Sequence, residues 1–188
     1  MSFPSSLNVA LKEWASVCDA LETGRQILLL RKGGIHESAG EFALEHPQFL
    51  LFPTYLHQNI RMLKPSEHAA FVPMSAEPDK ITLAALGVAT DIVRVGSRRQ
   101  MDALDAEHIW ARPLIDMRFA YRPENPLYLL LVRAYLLSRP VTIDNTPDYA
   151  GCKSWVPLTQ AIDAHDAAAV LPDADYERRK GAIMERIA

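Results

Sequence analysis

Two apolar runs, Ile27-Leu28-Leu29-Leu30 and Phe49-Leu50-Leu51-Phe52, stand close together and show no polar alternation. A strand with one wet face alternates apolar and polar residues, so a run that is apolar at every position must be covered on both faces. The chain therefore has to supply a sheet with material on each side of it. Between the runs lie Arg31, Lys32, Gly33, Gly34, His36, Glu37, Glu41 and His46, and Pro53-Thr54-Tyr55-Leu56-His57-Gln58 follows the second. Ionisable groups held between two buried strands have rigid elements to position them, as a binding or catalytic site requires.

The remaining segments mix helix and strand signals. Asn8 reads as the cap of a helix over 9–23, with Ala10, Trp14, Val17, Cys18 and Leu21 on one stripe and Gly24 just past its end. A strand is expected over 26–31 and a short one over 41–44. Thr54 then reads as the cap of a helix over 54–63 that carries Leu56, Ile60 and Leu63 on one side. Residues 81–95, with Gly87 in the middle, suit a long bent strand or two strands at a bulge, and Ser97 suits the cap of a short helix burying Met101 and Leu104. Residues 108–119 suggest a helical piece interrupted by Pro113. Leu127 to Leu137 reads as a central strand, Pro140 to Pro147 as a turn, and Trp155 to Leu158 as a short strand. Asp173 can cap a last helix through Ile187 that lies on the surface.

No regular strand-helix alternation emerges. The expected class is α+β, with a mixed, mostly antiparallel sheet, barrel-like if it curls far enough, flanked by helices. The chain is organised as one α+β domain over 1–162 and a C-terminal helical extension over 163–188. Its 188 residues, 49% hydrophobic and 23% charged, suffice for one core and exclude a disordered profile. No apolar run approaches a membrane span, so a cytoplasmic location and no membrane partner are expected. Cys18 and Cys152 lie far apart without a CxxC partner, which points to reduced thiols. A net charge of −3 excludes a basic coat all round but leaves room for one basic face, such as that of Arg25, Arg31 and Lys32.

Several motifs can carry chemistry. Arg31-Lys32-Gly33-Gly34 sets two cations beside two glycines, and a guanidinium matches phosphate or carboxylate in a two-pronged way. Tyr55, His57 and Gln58 place a phenol, an imidazole and an amide at an expected helix start, where backbone N–H groups favour an anion. Gly151-Cys152-Lys153-Ser154-Trp155 puts a cation beside a thiol and an indole. His36 and Glu37 with Glu41 do not make HExxH, so no metal and no cofactor is expected. Neither Asp79-Lys80 nor Asp148 with Lys153 has the acidic-x-Lys spacing of a restriction-type nuclease.

Taken in order, RKGGI, FLLFPTYLHQ, HIW, PLYLLLVRAY and GCKSWVPL resemble the bacterial domain-of-unknown-function family 1802, over about Leu11 to Ile162. That family has no assigned activity. Some relatives are joined to an Mrr-type restriction endonuclease domain, which implies restriction or DNA defence and a restriction endonuclease as partner. More loosely, residues 20–31 are similar to the helix-turn-strand opening of ASCH and other PUA-like domains, which hold RNA or a modified base on a small barrel. Where those have Gly-Lys-Lys-Thr, this chain has Gly24-Arg25-Gln26-Ile27, which lacks the Lys and Thr of their amidohydrolase branch.

The expected function is a nucleic-acid-associated binding module with DNA or RNA as partner. Its ligand or phosphate site would be Arg25, Arg31, Lys32, Gly33, Gly34, Tyr55, His57, Gln58, Lys153 and Trp155. The first alternative is a small hydrolase or transferase, with His57 or His46 as base and Glu37 or Glu41 as its partner. The second is a structural interaction module. All of this requires the cationic glycine turn and the Tyr55-His57-Gln58 cluster to open onto one hollow.

Overall fold

The computed structural model describes residues 5–32, 35–38, 41–151 and 153–188, with 35–38 and 41–43 described by their strand placement alone. The chain opens with a strand, β1 (Ser6–Trp14), followed by helix α1 (Ala15–Glu22) and strand β2 (Leu28–Arg31). A small antiparallel pair, β3 (Ile35–Ser38) and β4 (Glu41–Leu44), leads to β5 (Gln48–Thr54). Long strand β6 (Lys80–Val95) precedes α2 (Arg98–Ala103) and α3 (Arg112–Ala120). Then come β7 (Leu127–Asp144), β8 (Trp155–Asp163), the two-residue β9 (Ala168–Ala169) and α4 (Asp173–Ile187).

Seven of these strands form one mixed sheet in the order β2-β7-β6-β5-β1-β8, with β9 also on β7. Every described pairing in it is antiparallel except β1 with β5. The path is open, with β2 and β8 at its ends, so the barrel variant of the expected class is not realised. Leu28, Leu29 and Leu30 are all fully buried, as their unbroken apolar run requires. On one face the four helices cover a core that includes Leu21, Phe49, Leu130, Leu131 and Trp110. On the other face Leu7, Leu50, Phe52, Leu83, Leu86, Tyr135, Val156 and Ile162 pack together without helical cover, so the sheet must curl over its own side chains.

The expected helix over 9–23 is half strand. Its apolar stripe joins Ala10, in β1, to Val17, Cys18 and Leu21, in α1, and partners far along the chain decide the matter: β1 pairs with β5 and with β8. Gly24 does sit past the end of α1, at φ +69, where a Cβ would meet the Leu171 side chain at 2.8 Å. The expected helix over 54–63 is also absent. Only a single 3-10 turn, Ile60–Met62, forms there, with the Asn59 side chain accepting from the Arg61 N–H. Residues 140–144 do not turn away: β7 runs on to Asp144, and its pairing to β6 shifts between Leu136 and Val141, which accommodates Pro140. Pro113 begins α3 rather than interrupting it.

β6 bends as expected, with register shifts on either side of Gly87. A Cβ at Gly87 would lie 2.8 Å from both Phe49 and Val132. Ser97 caps α2 with a full capping box to Gln100. Pro172, not Asp173, holds the N-cap position of α4. The last helix is not merely superficial, because Tyr176, Ile183 and Ile187 are buried in the helix-side core. Arg179 ties it down, donating to Glu107 at 2.7 Å and to the Gly24 and Arg25 carbonyls at 2.7 and 2.6 Å. No helix among the described residues is long and apolar enough to cross a membrane.

Candidate functional site

Parallel pairing sets Trp14 beside Thr54, so β1 and β5 leave the sheet at the same end. The segments that lead into β6 and away from β7 reach the same place. A cleft of about 900 Å³ opens there, lined by Lys12, Glu13, Trp14, Arg31, Phe52, His57, Glu77, Arg118, Thr146, Tyr149 and Lys153 among others.

Arg31 closes β2 and lies almost buried, with its guanidinium 3.6 Å from the Glu13 carboxylate and 3.4 Å from the Lys12 carbonyl. Burial pushes its pKa down from the ordinary value. Glu13 opposes that shift, and Arg118 adds to it by repulsion. Arg118, from α3, lines the same cleft. Among the described residues it has no hydrogen-bond or ion-pair partner, and its Nε is buried. Buried guanidinium nitrogens are ordinarily paired; the Arg133 Nε also lacks a partner among the described residues, but Arg133 keeps an ion pair with Asp173, whereas Arg118 has none. The Thr146 hydroxyl on the cleft wall is likewise buried without a partner. Lys12 instead donates to the Tyr149 carbonyl and, at 3.2 Å, to that of Gly151, with its ammonium 5.6 Å from the centre of the Phe52 ring.

Of the residues singled out in the sequence, Arg31, His57 and Lys153 line this cleft. Tyr55 and Gln58 do not. They line a neighbouring hollow of about 230 Å³ with Ser16, Asp19 and Glu67. The Gln58 amide oxygen there accepts from the Ser16 N–H at 3.0 Å and the Ser16 hydroxyl at 2.7 Å, completing the N-terminus of α1 from across the chain. Arg25 is held in ion pairs with Asp19 and Glu67. Lys32 donates to the Tyr121 and Arg122 carbonyls at 2.6 and 2.9 Å, at the C-terminal end of α3. Trp155 packs edge-on against Phe49 and His46, at 5.5 and 5.2 Å between ring centres. Gly33, Gly34 and Cys152 lie outside the described residues, as do the side chains of His36, Glu37 and Glu41.

Arg31, from the cationic turn, thus shares the cleft with His57, while the Tyr55-His57-Gln58 cluster divides between two hollows. His57, at φ +75, faces one of them, and Tyr55 and Gln58 face the other. Arg118 carried no signal in the sequence, where it is one charge among several on a short helix. Its place beside Arg31 is a product of the tertiary fold. Among the described residues no group of three or more His, Cys, Asp or Glu is placed to hold a metal ion.

Residues 10–182 match the family model described as "Domain of unknown function (DUF1802)". The chain belongs to that family. It is the one its separated motifs resemble, and the match extends into α4. No curated protein matches the DUF1802 chain. Among solved structures it is similar to ASCH from Zymomonas mobilis, at 10% identity and a TM-score of 0.44, over 92% of this chain and 93% of that one. A serine-to-alanine mutant of the same protein matches at 10% identity and a TM-score of 0.42, over 95% of this chain and 98% of the other.

Proposed function

We propose that this DUF1802 chain is a nucleic-acid-associated binding module whose cleft receives a nucleotide unit of a single strand. The observation that carries this reading is the Arg31–Arg118 pair. Two guanidiniums repel one another on a concave wall, with the Glu13 carboxylate against Arg31 alone and Arg118 left without a partner among the described residues. A phosphate would neutralise the excess charge and accept from both planar forks. Half-buried Trp14 supplies aromatic surface in the same cleft, which suits an unstacked base, while Phe52 and Tyr149 are buried in its wall. The volume lies within the range of small-ligand clefts. Because the whole chain carries a net charge of −3, attraction to a polyanion must be local. The link to restriction or DNA defence rests on the family resemblance alone.

Anisotropy titrations with short single-stranded RNA and DNA at low salt test the reading. Arg118→Gln and Lys153→Gln should each weaken binding about tenfold. The salt dependence should be shallow, with a slope of about −1 to −2, since few phosphates are engaged. Arg25→Gln, which alters a cation already paired outside the cleft, should change nothing. Unaltered affinity in Arg118→Gln would overturn the assignment.

A further inference from the structure

The chain segment after β5 already holds an anion. The Tyr55 N–H reaches both oxygens of the Glu77 carboxylate at 3.1 Å, and the Leu56 N–H reaches one of them at 2.8 Å. His57, with its positive φ, follows at once. Glu77 lines the cleft that contains Arg31, Arg118 and Lys153, yet among the described residues it forms no ion pair with any cation. Main-chain donors alone hold it. Successive N–H groups converging on one carboxylate make an anion-binding concavity, and two carboxylate oxygens present the same acceptors as two oxygens of a phosphate. The carboxylate arrives on the irregular segment before β6, which also exposes Val72 and Met74, so little apolar burial holds that segment in place.

We infer that the Tyr55 and Leu56 amides, which both meet the cleft-lining Glu77 although Tyr55 otherwise lines the neighbouring hollow, form a second anion subsite of the cleft, and that Glu77 occupies it in place of a phosphate. This rests on the nucleic-acid reading above and deepens it. The ligand is a strand with successive phosphates, one at the Arg31–Arg118 pair and a neighbouring one at the amides. Glu77 is displaced when the strand binds, and in the free protein its charge works against phosphate approaching the cleft.

The full chain, Glu77→Gln and Glu77→Ala are titrated with a short single-stranded RNA or DNA, beside Arg118→Gln. Both Glu77 variants should bind about fivefold more tightly than the parent chain. In the parent, the Tyr55 and Leu56 amide resonances should move when the strand is added. In Glu77→Gln they should also move with inorganic phosphate alone. Glutamine keeps the side-chain length and one acceptor oxygen, so this variant decides the matter if alanine loosens the segment. Binding by Glu77→Gln where the parent binds nothing would also support the subsite. If Arg118→Gln weakens binding while neither Glu77 variant strengthens it, Glu77 is a structural staple and only the first reading stands. If neither the parent nor Glu77→Gln retains any strand, both readings fall.

Discussion

The helix-covered face of the sheet and the end where β1 and β5 leave it differ in how far their charged groups are paired. Under the helices, Gln26 is fully buried and bonded at both ends of its amide, which donates to the Leu28 carbonyl at 2.6 Å and accepts from the Ile109 N–H at 3.0 Å. Arg133 lies near the Tyr135 and Tyr176 rings and, although its Nε has no hydrogen-bond partner among the described residues, is paired with Asp173. At the cleft, Arg118 and the Thr146 hydroxyl have no partner among the described residues, and Arg31 has only loose contacts. Folding alone favours the first arrangement, because an unpaired buried polar group costs about 1–3 kcal/mol. Groups left unbalanced in a concave site are where function is to be sought.

The largest test of this contrast is on the closed side. Phe49 is fully buried, packs on Trp155 and faces Gly87. Phe49→Ala should cost about 3–5 kcal/mol in denaturant unfolding. A much smaller loss would mean that the helix-side core is loosely packed and that the contrast with the cleft is overdrawn.

Next in size is an exception inside the closed side. His108 is buried, stacks on Trp110 with ring centres 5.2 Å apart, and has no well-formed hydrogen bond at either ring nitrogen. Burial, with the nearby Lys64 ammonium adding, pushes its pKa down to about 4 from the ordinary 6.5. The fold resists the proton that the unfolded chain takes up, so stability is intact above pH 6.5 and falls as the pH drops towards 4. The loss from this one group approaches about 3 kcal/mol. Unfolding curves across that window should show it, and His108→Phe should flatten the profile. An identical acid profile in the variant would shift the cause to other groups.

The parts of the fold that can be read from sequence are those whose signals are local. The unbroken leucines of β2, the Val/Ile-rich stretch of β6 and the Ser97 cap each specify their element within a few residues. β1 cannot be read that way. Its buried side chains acquire meaning only from β5 and from β8, at the other end of the chain, and their spacing mimics a helix when read alone. At the site the same divide recurs. Arg31, His57 and Lys153 stand beside visible strand ends and glycines, whereas Gln58 is drawn off to cap α1, and Arg118 arrives from a helix with no marker of its own.

Gln58 gives a smaller effect on the boundary between the two regimes. Its oxygen completes the N-terminus of α1, so Gln58→Ala should cost about 1 kcal/mol, as a lost helix cap does. Strand affinity should be unchanged, because Gln58 lines the other hollow. Reduced affinity at unchanged stability would join the two hollows into one site.

The smallest effect is the sharpest. Arg118 has no partner to lose among the described residues, and its charge acts against that of Arg31. Arg118→Gln removes that repulsion and keeps a polar side chain of similar length. Thermal unfolding should therefore shift by less than about 0.5 kcal/mol, the range of a substitution that breaks no native contact, and in the stabilising direction if in either. A residue whose replacement leaves the fold untouched while weakening retention of a strand about tenfold is placed for its ligand's chemistry and not for the core. A clear destabilisation would instead mean that Arg118 has a structural partner in solution, and the cleft would then be as closed as the face beneath the helices.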